Sequence, residues 1–198
     1  MAQSNEIDQI FVIYTRADYD PDWEISTMAK DLVHLRIGIT FSLITLLFGF
    51  GLGGAFGAFE DTIKASLHQS AMAVKDSVYD GDEAAMGKLT SKAWTYMKRA
   101  HLHANGLGTS SLVLILLLST VPASTTMRRL VAGALGVGAL GYSSFWLFAA
   151  RRAPALGSTH DAKESLSWLA VPSAGLCLVG VIAVLVLFVY HNFRQAEN

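Results

Sequence analysis

The feature that most restricts the fold of this sequence is the spacing of its charged residues. Four segments contain no Asp, Glu, Lys or Arg, and they lie between Arg36 and Glu60, Arg99 and Arg128, Arg129 and Arg151, and Glu164 and Arg194. Each segment holds an apolar run of about 20 residues, the length that crosses about 30 Å of hydrocarbon as a helix. Helices satisfy their own backbone hydrogen bonds in lipid. The spacing therefore predicts four transmembrane helices over about 37–59, 103–123, 130–151 and 165–190.

The composition supports an all-α integral membrane protein. Hydrophobic residues make up 52% of the 198 residues and charged residues 16%, where a soluble domain has about 25% charged residues. The net charge of -1 predicts no nucleic-acid partner. A single cysteine excludes an internal disulfide and a site with several thiolate ligands. We expect a multi-pass protein of the bacterial inner membrane, in contact with the lipid bilayer and with other membrane-protein subunits or copies of itself.

The sequence divides into an acidic N-terminal tail, residues 1–20, and a four-helix membrane domain, residues 21–198. Between spans one and two, apolar residues recur every three or four positions on both sides of a turn at Tyr79–Asp82. This pattern predicts a protruding antiparallel helical hairpin over 60–102. A turn centred between Asp80 and Gly81 sets His101 level with Glu60. Pro154 is expected to end span three, and Asp161 with Glu164 to cap the start of span four.

Three glycines of span one, Gly49, Gly53 and Gly57, recur at four-residue spacing and share one helix face. Such a face permits close helix packing in lipid. Span three is the expected partner, because it carries pairs of small residues at the same spacing. A homodimer through this face is the alternative.

The histidines are the candidate functional residues, and the predicted topology separates them into two groups. His34 and His191 fall at one face of the membrane, and no ionisable residue is expected deep inside a span, which disfavours a coupled transporter. The group at the other face is predicted to hold a cofactor through His101, His103 and His160, and the candidate metal ligands are His101, His103, His160, Glu60 and His68. Imidazole is the commonest metal-ligand side chain. Solvated histidines at helix ends are the alternative.

Two of these histidines have spacing that limits their use. His101 and His103 are two residues apart on a helix and so point about 200° away from each other. One ring is therefore expected to face the bundle and the other solvent or a carboxylate.

The segment Ala100–Gly108, with the sequence AHLHANGLG, resembles the HxHxNxxG stretch in helices of haem-bearing membrane proteins of the haem-copper-oxidase and NnrS-like kind. The resemblance implies that a histidine at the head of this span ligates haem iron or copper. Those families carry further histidines inside other spans, and this chain does not, so the resemblance implies a haem b or a copper site without oxidase chemistry.

Three functions follow as hypotheses. The first is a membrane subunit of a redox or respiratory-type system that holds a haem b or a metal ion and exchanges electrons with quinone or a partner. The alternative is a non-catalytic scaffold or assembly subunit of a membrane complex. The third is a small transporter or channel. No catalytic residue is predicted.

Overall fold

The structure is a computed structural model that describes the backbone of residues 21–196 and the side chains of residues 32–193. The predicted acidic tail, residues 1–20, lies outside the described residues. The helices are α1 (Pro21–Met72), α2 (Lys75–Val78), α3 (Glu83–Ser119), α4 (Thr125–Leu156), α5 (Thr159–Glu164) and α6 (Ser167–Ala196). Residues up to Val33 belong to a separate unit, and the packing described below concerns the chain from His34 onward.

Four of these helices, α1, α3, α4 and α6, are long and apolar enough to cross a membrane. Each of them contains or overlaps one of the four predicted spans, and the described residues contain no strand. The prediction of an all-α chain with four candidate membrane-spanning helices is confirmed.

Helix α4 is the central helix of the bundle. In its most apolar stretch 44% of the residues are buried, against 17% in α1 and 17% in α6. Small residues on α4 allow the neighbouring helices to approach closely. A Cβ on Gly136 would lie 2.5 Å from the Gly38 carbonyl oxygen of α1, and a Cβ on Gly138 would lie 2.8 Å from the Ser173 carbonyl oxygen of α6.

The predicted turn between the first two long helices is confirmed, and it is wider than the sequence pattern suggested. Helix α1 ends at Met72, the short α2 follows, and α3 begins at Glu83. Asp80 and Gly81 both have positive φ, of 50° and 78°, and the Asp82 side chain caps α3 by accepting from the Ala85 amide at 2.9 Å. Ten residues therefore separate the two arms of the hairpin, because the chain forms a further helical turn before it reverses.

The hairpin packs against the end of α4 and against α5 along its length. Buried apolar side chains from these elements form one cluster, Leu67, Ala93, Met97, Ala150, Ala153 and Ala162. At the tip, the Tyr79 hydroxyl donates a buried hydrogen bond of 2.6 Å to the Pro154 carbonyl oxygen. Helix α4 therefore packs against the hairpin as far as its tip.

Two predicted helix boundaries in this region are wrong. Pro154 does not end the third long helix, which continues to Leu156 and stops at Gly157, where φ is 63° and a side chain would be strained. Asp161 and Glu164 do not cap the fourth. Ser158 is the cap residue: its hydroxyl accepts from the Asp161 amide at 3.1 Å and starts the separate helix α5.

We predict that Tyr79→Phe loosens the hairpin tip from α4. The substitution keeps the aromatic ring and leaves the buried Pro154 carbonyl without its donor, which costs about 1–3 kcal/mol. Thermal unfolding in detergent should show a lower Tm than the wild type. Tyr96→Phe is the matched control, because the Tyr96 hydroxyl donates no hydrogen bond among the described residues and its ring packs on Trp146. An equal loss in both variants would contradict the role of the Tyr79 hydroxyl.

Candidate functional site

The register of α1 against α3 differs from the predicted one by about two helical turns. His101 lies against Gly53: a Cβ on Gly53 would lie 2.7 Å from the His101 Cε1 atom. The prediction that His101 lies level with Glu60 is therefore wrong, because the ten-residue connection shifts α3 along α1. Glu60 instead pairs with Lys64 on its own helix.

His101 is held between α1 and α3 by a hydrogen bond to the backbone. Its Nδ1–H donates to the Gly49 carbonyl oxygen at 2.8 Å, and its ring packs edge-on to Phe56 with 6.1 Å between centroids. A carbonyl oxygen only accepts, so Nδ1 carries the proton and, in the neutral ring, Nε2 carries the lone pair. Nε2 has no hydrogen-bond partner among the described residues.

Asn105, one helical turn from His101, completes the contact with α1. Its amide nitrogen donates to the His101 carbonyl oxygen at 3.1 Å. Its buried Oδ1 has no conventional hydrogen-bond partner within the described chain, and a Cβ on Gly49 would lie 2.7 Å from it. The Gly49 Cα hydrogen that takes this place is a weak donor. Gly49 and Gly53 thus form two slots that Asn105 and His101 fill.

This contact corrects the prediction for the glycine face. Its partner in the chain is span two, through polar side chains, and not span three. No atom of the described residues lies within 4 Å of a Cβ placed on Gly57, so the third glycine takes no part in the contact.

His103 occupies the opposite side of α3 and packs in an aromatic cluster with α4. Its ring stacks on Trp146 at 5.7 Å between centroids and meets Tyr142 edge-on at 5.4 Å. Its Nδ1–H donates to the Arg99 carbonyl oxygen at 2.8 Å, which again leaves Nε2 as the lone-pair nitrogen of the neutral ring. The predicted divergence of His101 and His103 is seen, and each ring is half-buried against a neighbouring helix.

Arg99 and Trp146 add charge and an unused donor to this cluster. The Arg99 guanidinium lies 5.1 Å from the ring centroids of both Tyr96 and Trp146, within the range of cation–π attraction. The Trp146 Nε1–H is buried and has no acceptor in the described part of the chain.

Both histidines face charge-free stretches of α1 and α4, and on their own helix they follow Lys98 and Arg99. Glu60 is the first charged residue of α1 after Arg36, and His101 faces a position seven residues before it, on the order of 10 Å along the axis. On α4, His103 contacts positions five and nine residues before Arg151, the first charged residue after Arg129. The register thus sets both rings opposite charge-free stretches of the neighbouring helices, and the expectation that no ionisable side chain lies deep inside a span stays a prediction.

The other candidate ligands are not brought to this position. His160 has 80% of its side chain exposed and lies 3.3 Å from the Asp161 carboxylate. His68 is exposed and lines a groove of the hairpin beside Trp94. Among residues 32–193, no three His, Cys, Asp or Glu side chains are grouped so that they could hold a metal ion. The predicted cluster of His101, His103 and His160 with Glu60 is not formed.

Sequence reasoning missed the residues that surround the two histidines. Asn105 follows His101 by four residues, and Trp146 follows Tyr142 by four, so each pair shares a helix face. The sequence shows this spacing, but the contacts of these residues with the neighbouring helices depend on the register between helices. No family model, curated protein or solved structure matches the chain. The resemblance of Ala100–Gly108 to haem-bearing helices therefore stays a prediction.

We predict that Gly53→Leu destabilises the protein, because the new side chain must displace the His101 ring. Overpacking of this kind costs about 1–3 kcal/mol. Gly54→Leu is the control, since a Cβ at that position has no neighbour within 4 Å in the part of the chain that the structure describes. Thermal unfolding of both variants in detergent measures the difference. Equal Tm values for Gly53→Leu and the wild type would contradict the slot.

Proposed function

We propose that the four long helices cross a bilayer and that the hairpin-side boundary lies at the level of Glu60 and Arg151. The charge-free lengths of α1 and α4 support this placement, and on α3 Lys98 and Arg99 then lie between the boundary and the two histidines. The tip of the hairpin, α5 and the end of α4 then lie outside the bilayer. His101 and His103 lie on the order of 10 Å inside the hydrocarbon. Ionisable side chains at that depth are costly and commonly functional.

We further propose that the protein is a membrane subunit of a redox or respiratory-type system in the bacterial inner membrane. One observation supports this function above others: two imidazoles face charge-free helix stretches, each with Nδ1 bound to a backbone carbonyl and Nε2 left with a lone pair. Ligating histidines commonly have this arrangement, because the Nδ1–H bond orients the ring and sets the tautomer.

The described residues fit one histidine ligand of a haem b or a copper ion and do not fit a complete site. His101 or His103 would supply that ligand, and a further ligand would come from another chain of the complex. Such a group supplies one-electron chemistry suited to exchange with a quinone. The chain itself would orient the imidazole through Gly49 or Arg99 and exclude water with the surrounding aromatic rings.

A non-catalytic scaffold or assembly subunit is the second candidate. The fit of His101 and Asn105 into the two slots of α1 favours this candidate. In a scaffold, these polar side chains would hold α1 and α3 together and would have no further role. A small transporter or channel is the third candidate. It was disfavoured because no ionisable residue was expected deep inside a span, and the proposed position of the two histidines removes that reason.

The redox proposal is tested by cofactor content. Protein purified from its native membranes should show a Soret band or bound copper, and His101→Ala or His103→Ala should reduce the cofactor per protein at least several-fold. His160→Ala is the matched control and should keep wild-type content, because that side chain is exposed. Wild-type content in the His101→Ala/His103→Ala double variant would contradict the site. A wild type without any cofactor would favour the scaffold.

The proposed crossing predicts which residues share a side of the membrane. In a Cys177→Ser background, cysteines introduced at Asp80 and Ser158 should react with an impermeant thiol reagent from one side. A cysteine at Ser124, in the loop between α3 and α4, should react only from the other side. Labelling of all three positions from the same side would contradict the crossing.

A further inference from the structure

An apolar groove lies between the last turns of α4 and the start of α6. It has a volume of about 360 Å³ and is lined by Phe148, Arg151, Arg152, Leu166 and Trp168. The residues Phe148 and Trp168 are 47% and 69% exposed, whereas Leu166 is buried and forms the floor. A groove with exposed aromatic walls and a buried aliphatic floor is suited to a hydrocarbon chain.

Two adjacent guanidinium groups border this groove. The Arg152 Nη1–H donates to the Ser165 hydroxyl at 3.0 Å and to the Ser165 carbonyl oxygen at 3.3 Å, which holds this side chain at the groove. Neither Arg151 nor Arg152 forms an ion pair with a carboxylate within the described residues. The side chains of both remain exposed, so N–H donors are available to a bound anion.

The acidic residues nearest in sequence do not cancel this charge. Asp161 lies beside His160, and Glu164 is exposed at the end of α5. Neither carboxylate lines the groove.

We infer that this groove binds an anionic phospholipid, with its phosphate on Arg151 and Arg152 and an acyl chain along Phe148 and Trp168. The two arginines lie at the proposed bilayer boundary, where lipid phosphates lie. Arginine forms charge-assisted hydrogen bonds to phosphate oxygens, and tryptophan favours the interface. The groove thus has a cationic end at the boundary and an apolar end further into the bilayer, which matches the order of phosphate and acyl chain in a phospholipid. The inference rests on the proposed membrane crossing and is independent of the redox proposal.

The size of the expected preference follows from the two charges. A basic side chain near an anionic lipid surface contributes about 1 kcal/mol, which is about 5-fold in affinity. Two arginines should therefore favour an anionic over a zwitterionic lipid by on the order of 25-fold.

The experiment titrates delipidated full-length protein in detergent with phosphatidylglycerol or phosphatidylcholine of the same acyl chains, and native mass spectrometry measures the Kd of the first lipid bound. The wild type should prefer phosphatidylglycerol, and Arg151→Gln/Arg152→Gln should lose most of that preference. Arg128→Gln/Arg129→Gln is the matched control, a second pair of adjacent arginines near the other end of α4, and should keep the preference.

Equal affinity of the wild type for both lipids would overturn the inference. So would an equal loss of preference in both double variants, since the effect would then not belong to the groove. Should Arg151→Gln/Arg152→Gln fail to fold, the wild type alone supplies the test.

Raising the salt from about 0.01 M to about 1 M shortens the Debye length from about 30 Å to about 3 Å, and the preference of the wild type for phosphatidylglycerol should decrease strongly. A preference that does not change with salt would exclude the arginine–phosphate contact.

Discussion

The contact between His101 and Gly49 determines the arrangement of the remaining helices. A polar side chain among apolar neighbours is costly unless it is hydrogen-bonded, and Nδ1 finds its acceptor in the Gly49 carbonyl of α1. The glycine at position 53 makes room for the ring, and Gly49 makes room for Asn105. A slip of α3 by one turn would separate the donor from its acceptor and drive the imidazole against other side chains. The polar contact therefore sets a single register.

That register carries over to the central helix. With α3 placed by His101, the opposite side of the same helix presents His103 to Tyr142 and Trp146 of α4. Helix α4 accepts neighbours on several sides because its small residues let their backbones approach. Its last turns then reach the hairpin tip, where Tyr79 binds the Pro154 carbonyl. The hairpin is positioned from both ends by hydrogen bonds to backbone carbonyls.

One side chain can serve both packing and chemistry in this arrangement. The Nδ1 atom of each α3 histidine is used to bind a carbonyl, and this bond fixes the tautomer in the neutral ring and so the position of the lone pair on Nε2. The Nε2 atom takes no part in these hydrogen bonds, so its lone pair remains available to a ligand. The proposed redox subunit and the proposed scaffold therefore differ in whether Nε2 has a ligand, and they share the same helix contacts. The lipid groove is separate from both, because it lies where α4 meets α6.

The sequence by itself determined the number, type and approximate position of the long helices. Charge spacing and apolar length are local properties, and they decide whether a segment can cross a bilayer. The divergence of His101 and His103 also followed from helix geometry alone. Only the tertiary structure decided where His101 and His103 lie along the bundle axis relative to α1. The ten-residue connection between Met72 and Glu83 shifts α3 along α1 by about two turns from the predicted register. The partner of Gly53 and the continuation of α4 past Pro154 likewise depend on contacts between segments distant in sequence, which no local pattern specifies.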